Sequence, residues 1–414
     1  MSTAQNPAIP ALQRRVLRTL VLGQLLSGFG VGVVVSIGAL LAEKLSGTPA
    51  WAGAGATFST LGTAVWAFPL ARLASNRGRR VALVTGSSIA IAGALLSVLA
   101  GILGWFPLLL VGFFGLGAAS AIGLQARFAA TDLPSLRHSG RDIAIVVWGT
   151  TIGAVIGPNL FEPGEALGNL LHLPHLTGPF LITVMAQIAG STAFFIGLRP
   201  DPLLTARSLD SSKTGLRPKV SLPAAFGILG KNPKARFAIL AIALSHMVMV
   251  AVMSMTTVHM KGMGFDLVIV GFTISLHVAG MYALSPVFGW LADRWGRVPL
   301  IIISQLMLGA SLMFTWFGDM DRFSLSIGLL LLGLGWSAGT VSGSALLTDS
   351  VSGDEKPNVQ GLSDALQSLS GAGGGAIAGV ILASVTYAGL SAVALIPVAI
   401  VLAFALRQLR QARA

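Results

Sequence analysis

The sequence predicts an all-α membrane protein of twelve transmembrane helices in two pseudo-symmetric six-helix bundles. Three observations carry this expectation. The 414 residues are 54% hydrophobic and only 10% charged, with a mean hydropathy of +0.81, far from the roughly 25% charge of an average soluble domain. Twelve apolar runs have spanning length. The second half of the chain repeats landmarks of the first, in the same order.

A helix crossing a hydrocarbon core of ~30 Å needs about 20 mainly apolar residues. Such runs lie at 17–42, 51–74, 81–103, 105–130, 143–163, 178–198, 236–259, 267–291, 298–318, 323–347, 361–384 and 387–406. Strands of a membrane barrel would alternate apolar and polar residues over about 10 positions, and "LLLVGFFGLGAASAIG" does not alternate. Basic residues favour short cytoplasmic loops. With the N-terminus inside, all of the 27 Lys and Arg except Lys44, Lys261 and Arg322 fall on the cytoplasmic side or in adjoining helix ends. Twelve spans then return the C-terminus, with Arg407, Arg410 and Arg413, to the same side. The expected location is the cell membrane, plasma or inner, with both termini cytoplasmic. The first residues lack a small-residue cleavage site and run into a full span, so they are expected to remain as a tail.

The longest polar stretch, 199–235, separates an N-terminal bundle (1–198) from a C-terminal bundle (236–414) as a cytoplasmic linker. Its end, "SLPAAFGILG", is too short to span; a helix on the inner leaflet and a plain linker are both open. The net charge of +12 is spread in short clusters between apolar runs, so nucleic acid is not an expected partner. Without cysteine, disulfide and thiolate chemistry are excluded. The sequence contains no P-loop, G-x-S-x-G or H-E-x-x-H pattern, so no enzyme, cofactor or metal is expected. His172 and His175 belong to an outer loop, and Pro174 between them argues against a metal-binding helix.

The repeat is read from four matches at nearly one offset. "LARLASNRGRR" (70–80) lies under "FGWLADRWGRV" (288–298), "GLG" at 115–117 recurs at 333–335, Thr131-Asp132 recurs as Thr348-Asp349, and Gly149, Gly153 and Gly157 correspond to Gly371, Gly375 and Gly379. Two equivalent bundles that rock about a midplane site provide alternating access in many secondary transporters.

The duplicated loop resembles the signature of the major facilitator superfamily, G-x-L-A-D-R-x-G-R. The second-half copy matches as Gly289, Leu291, Ala292, Asp293, Arg294, Gly296 and Arg297. The first-half copy has Ala71 for the leading glycine and Ser75 for the aspartate, while Leu73, Gly78, Arg79 and Arg80 remain. Gly149, Gly153, Gly157 and Pro158 resemble the helix-packing antiporter motif of the superfamily's drug exporters, although Asn159-Leu160-Phe161 replaces its closing glycine pair. Glycines at i, i+4 and i+8 are also a plain packing face.

A carboxylate at a helix end can cap the N–H groups of a neighbouring helix and pair with nearby arginines. Asp293, Arg294, Gly296 and Arg297, with Gly78, Arg79 and Arg80, are therefore candidates for an inner latch, which the resemblance implies must break when the carrier turns inward. Positive-inside topology alone would explain the arginines but not Asp293. Asp132, Asp349 and Asp364 are candidate members of the same network.

Candidates for a substrate or proton site are Gln24, Ser27, Arg127, Trp148, Thr151, Asn159, Gln187, His246, His277, Trp336 and Gln367. Ionisable groups within a membrane are costly and are functional candidates for that reason, and histidine titrates near neutrality. A core histidine satisfied by a carbonyl is the competing reading for His246. Neutral polar and aromatic groups suit a small neutral or amphipathic molecule. Val111 stands where the resemblance expects the arginine of proton-coupled exporters, and the first span contains no acid. The expectation is a secondary active transporter, monomeric, whose partners are a small-molecule substrate, membrane lipid and, if coupled, protons. Efflux is favoured over the alternative, an importer or facilitator of a neutral nutrient or vitamin-like molecule. A sensor without turnover is the third class.

Overall fold

The computed structural model describes residues 8–48, 51, 54–133, 139–156, 161–209, 221–265, 267–353 and 355–411, with side chains other than those of 8, 29–36, 154–156, 261, 267, 268, 383 and 411. Among the described residues the chain is helical, with turns and no strand. The helices are α1 (Ala8–Ser46), α2 (Ala54–Arg77), α3 (Arg79–Leu103), α4 (Phe106–Ala129), α5 (Ser139–Ile156), α6 (Phe161–Leu170), α7 (Gly178–Gly197), α8 (Pro202–Leu209), α9 (Leu222–Lys231), α10 (Pro233–Gly262), α11 (Leu267–Tyr282), α12 (Ser285–Trp295), α13 (Arg297–Phe317), α14 (Arg322–Ser350), α15 (Lys356–Ser384) and α16 (Tyr387–Gln411). Among the described residues nine spans are long and apolar enough to cross a membrane. The remaining expected runs coincide with α1, α2 and α5.

Three differences from the sequence expectation have local causes. The eighth run divides into α11 and α12 because Pro286 has no N–H for the carbonyl of Tyr282. Ser285 Oγ donates to that carbonyl instead, at 2.7 Å. The segment after the fifth run forms α6 where a loop was expected; Gly164 and Gly168 are buried and pack against Pro179 and Gly178. The expected linker contains the unforeseen short helix α8, while "SLPAAFGILG" takes the helical one of its two open readings as α9, with Ala225 and Leu229 buried and Leu222 and Phe226 exposed.

Two compact units are formed. The first comprises 1–136, 149–228 and 352–365. Its apolar core includes Ile37, Leu41, Val98, Leu109, Phe113 and Phe180. Here α5 lies close on α1: a Cβ on Gly149 would sit 3.0 Å from the Val21 carbonyl oxygen, and one on Gly153 would sit 2.6 Å from that of Leu25. Only a residue without a side chain allows this approach.

The second unit comprises 137–148, 229–351 and 366–414. Its core includes Val248, Val252, Leu308, Leu332, Trp336 and Tyr387. Each unit thus includes a short segment from the other half of the sequence, the start of α15 in the first and the start of α5 in the second.

The repeat is visible at two corners. Gly78 between α2 and α3 has φ 91° and ψ 166°, and Gly296 between α12 and α13 has φ 98° and ψ 159°. An L side chain is strained there, which accounts for glycine at both positions.

Candidate functional site

In the first unit, Arg79 opens α3 immediately after the Gly78 corner. Its guanidinium forms a two-pronged pair with Asp132, Nε to Oδ2 at 2.7 Å and Nη2 to Oδ1 at 3.0 Å, and Nη2 also donates to Gln360 Oε1 at 2.6 Å. Arg79 and Asp132 are buried. Near the end of α4, Arg127 Nη2 donates to Asp364 Oδ1 at 2.7 Å, again with both side chains buried, and its guanidinium lies 4.8 Å from the Phe128 ring centroid. Two positive and two negative groups are therefore matched out of water. Burying any one without its partner would be strongly unfavourable.

Ser75, at the place where the signature has an acid, is buried and accepts from Arg207 through its carbonyl oxygen at 2.6 Å and its hydroxyl at 3.3 Å. The carboxylate at this corner comes from Asp201. Its Oδ2 accepts from the Arg80 N–H at 2.8 Å, and its Oδ1 accepts from Leu203 and Leu204 N–H at 3.0 and 3.1 Å. One side chain thus caps the starts of both α3 and α8. Sequence reasoning missed Asp201, although an Asp followed by Pro at a helix start is a capping signal. Gln360 and Arg207 left no comparable signal, since their partners are remote in sequence.

In the second unit, Asp293 lies near the end of α12 and caps another helix. Its Oδ1 accepts from the Gly140 N–H at 3.0 Å and its Oδ2 from the Arg141 N–H at 2.9 Å, in the first turn of α5. Anionic oxygen at a helix N-terminus is favoured by the exposed N–H groups and the helix dipole. Arg297 connects this cap to α14: Nη1 lies 2.6 Å from Asp293 Oδ1, and Nε donates to Asp349 Oδ2 at 3.1 Å. Ser139 Oγ accepts from Arg297 Nη2 at 2.8 Å and donates to Asp349 Oδ1 at 3.0 Å. Arg294 turns away onto the Trp290 ring, at 5.0 Å.

Of the mid-helix candidates, Gln24 Nε2 donates to the Gly123 carbonyl at 3.1 Å and reaches Thr150 Oγ1 at 3.5 Å. Ser27 and Gln187 are buried, and neither the Ser27 hydroxyl nor either amide atom of Gln187 has a hydrogen-bond partner among the described residues. The Thr151 hydroxyl is likewise without one. Gln125, buried on α4, donates to the Ala67 carbonyl at 3.0 Å. In the second unit His246 Nδ1 accepts from Trp336 Nε1 at 2.9 Å. His277 is buried with Nδ1 at 2.8 Å from the Leu329 carbonyl oxygen, a packing bond with α14. Gln367 is buried on α15 and Trp148 is exposed on α5. The candidates Gly157, Pro158 and Asn159 lie outside the described residues.

His175 Nδ1 lies 2.5 Å from Glu165 Oε2, whose other oxygen accepts from the Leu176 N–H at 2.8 Å. A shallow apolar recess of about 500 Å³ between α1 and α7, lined by Thr19, Leu22, Ala189, Thr192, Ala193, Ile196 and Gly197, shares no residue with the polar candidates.

The helical architecture, with nine spans among the described residues long and apolar enough to cross a membrane, defines an all-α multi-span fold. The Major Facilitator Superfamily profile matches residues 20–281 and 268–413, and the chain belongs to that family. It is 37% identical over 382 residues to the "Uncharacterized MFS-type transporter YdeG" of Bacillus subtilis (strain 168), with 92% of this chain and 89% of that protein covered. It is 24% identical over 352 residues to the riboflavin transporter RfnT of Brucella anthropi, covering 85% of each. In fold it is similar to the human organic anion transporter MFSD10, with a TM-score of 0.78 at 16% identity, covering 97% of this chain and 100% of that one.

Proposed function

We propose that the protein is a secondary active transporter that exports a small neutral or amphipathic organic molecule by alternating access, exchanging it for protons. In this reading the chain works as a monomer in the cell membrane with both termini cytoplasmic. It is organised as bundles 1–198 and 236–414 joined by the linker 199–235. The observation that carries the reading is the ionic corner found twice, Arg79 with Asp132 and Arg297 with Asp349, the second joined to Asp293, which caps the start of α5. Ion pairs with this placement have the chemistry of a latch: the buried pair of Arg79 with Asp132 is strong while formed, the exposed pair of Arg297 with Asp349 is weak, and each is broken by moving one helix end. The pair of Arg127 with Asp364 acts as a further latch member. The neutral polar residues Gln24, Ser27, Thr151, Asn159, Gln187 and Gln367, with Trp148, contribute to the substrate site, and His246 to proton binding. His277, bonded to its neighbouring helix, is assigned to packing.

A second reading is favoured by a specific observation. The riboflavin transporter relative, together with Val111 and an acid-free first span, supports an importer or facilitator of a neutral, vitamin-like molecule. Purified carrier in liposomes with a trapped pH dye separates the two. Substrate-dependent proton flux, lost in His246→Ala, supports the coupled exporter. Riboflavin or another uncharged compound moving down its gradient without proton flux replaces it with the facilitator.

A further inference from the structure

We propose that Trp336 makes protonation of His246 a conformational event: a proton taken up on His246 breaks the Trp336 to His246 hydrogen bond and releases the indole from its seat beside Tyr282. Its consequence for transport rests on the coupled-carrier reading; the bond and its titration do not.

The argument begins with the inventory of donors. An indole has one N–H and no acceptor, and Trp336 Nε1 is 2.9 Å from His246 Nδ1. His246 Nδ1 is therefore the acceptor, and the neutral imidazole carries its proton on Nε2. Imidazolium has N–H at both positions. The Nδ1 proton would point at the indole N–H, so the two rings cannot keep this geometry after protonation. A carbonyl partner would accept a proton-bearing ring nitrogen without moving; a tryptophan cannot.

Three further contacts define what moves. A Cβ on Gly371 of α15 would lie 2.7 Å from His246 Cδ2 and 2.8 Å from Nε2, so this glycine makes room for the ring edge. Trp336, 5% exposed, meets the Tyr282 ring edge-on at 5.8 Å. Tyr282 ends α11 and packs on Ile143, Val147 and Ala345. Its carbonyl accepts from Ser285 Oγ, which also donates to the Ala144 carbonyl at 3.2 Å. Displacing the indole therefore disturbs the α11/α12 break and the start of α5, the helix that Asp293 caps.

The titratable groups on the surrounding helices have their own partners or lie near helix ends. His277 of α11 bonds to the Leu329 carbonyl, Tyr387 of α16 to Thr256, Asp364 of α15 to Arg127, and Asp349 of α14 to Arg297. His259 of α10 stacks on Tyr387. Arg322 of α14, Lys356 of α15, Arg407 and Arg410 of α16, and Lys234 and Arg236 of α10 lie toward helix ends, and Arg297 opens α13. Tyr282 faces Trp336 directly.

The test uses the full chain in detergent with its eight tryptophans labelled with ¹⁵N at the indole. The Trp336 resonance is assigned by its loss in Trp336→Phe. Between about pH 8 and pH 5, where histidine titrates, the Trp336 N–H resonance is expected to shift along one sigmoid. In His246→Asn, whose amide oxygen replaces Nδ1 as an acceptor that does not titrate, the resonance stays at its high-pH position. A second variant, Gly371→Ala, pushes the imidazole edge away and shifts the resonance at every pH. A Trp336 signal that is pH-invariant in the parent protein, or that titrates equally in His246→Asn, overturns the proposal. Proton-coupled transport by a protein with an invariant Trp336 signal overturns it while leaving the carrier reading intact. A titrating Trp336 in a protein that moves no proton supports the proposal and removes the coupled-carrier reading.

Discussion

Arg79 and Asp132 form a two-pronged ion pair at 2.7 and 3.0 Å with side-chain exposures of 1% and 0%, while Arg297 and Asp349, their counterparts in the repeat, meet through one contact at 3.1 Å with exposures of 15% and 45%. Duplication preserved the partners and changed the surroundings. The two pairs consequently differ in what their loss costs. Breaking a buried pair leaves an uncompensated charge, at about 3–5 kcal/mol, whereas an exposed pair is worth about 0–1 kcal/mol. Asp132→Asn is expected to lower the thermal midpoint in detergent well below that of Asp349→Asn. Equal shifts would show that burial does not distinguish the pairs.

Arg127 and Asp364 are close enough to be energetically coupled. Arg127→Gln or Asp364→Asn alone is expected to destabilise by several-fold more than the double variant does per site, because the double variant removes both charges. A double-mutant cycle on unfolding midpoints measures this. Additive effects would mean that the pair contributes no mutual stabilisation.

Asp293 offers both oxygens to the first turn of α5. Asp293→Asn keeps one acceptor but removes the charge that favours a helix N-terminus and pairs with Arg297. In the proposed carrier this variant is biased toward the inward-facing form. Reaction of engineered cysteines at inner-cavity positions should accelerate relative to the parent; an unchanged rate would dissociate Asp293 from latching.

The corner glycines carry the same backbone strain for any L residue, about 1–3 kcal/mol, but not the same space. A Cβ on Gly78 collides with the Asp201 carboxylate, while one on Gly296 meets Pro299 Cδ at 3.6 Å and Cγ at 3.9 Å, ordinary van der Waals contact. Gly78→Ala is therefore expected to depress folded yield and thermal midpoint more than Gly296→Ala. Equal effects would place the main cost in backbone conformation alone.

The apolar runs and the order of the repeated landmarks determined where the spanning helices lie and the family, because a lipid-spanning helix must satisfy its backbone internally and cover about 20 residues with apolar side chains. Those constraints act locally and leave a readable trace. Asp293 and Arg297 were legible as a charged corner for the same reason. The partners were decided only in three dimensions. Nothing near Ser75 in sequence announces that Asp201 caps the helix beside it, that Gln360 reaches Arg79, or that Arg127 meets Asp364. The imidazole of His246 could have accepted from a donor or donated to a carbonyl, as His277 does. Trp336, on a helix 90 positions away, decided which, because hydrogen-bond roles belong to the pair of groups brought together by packing and not to either residue alone.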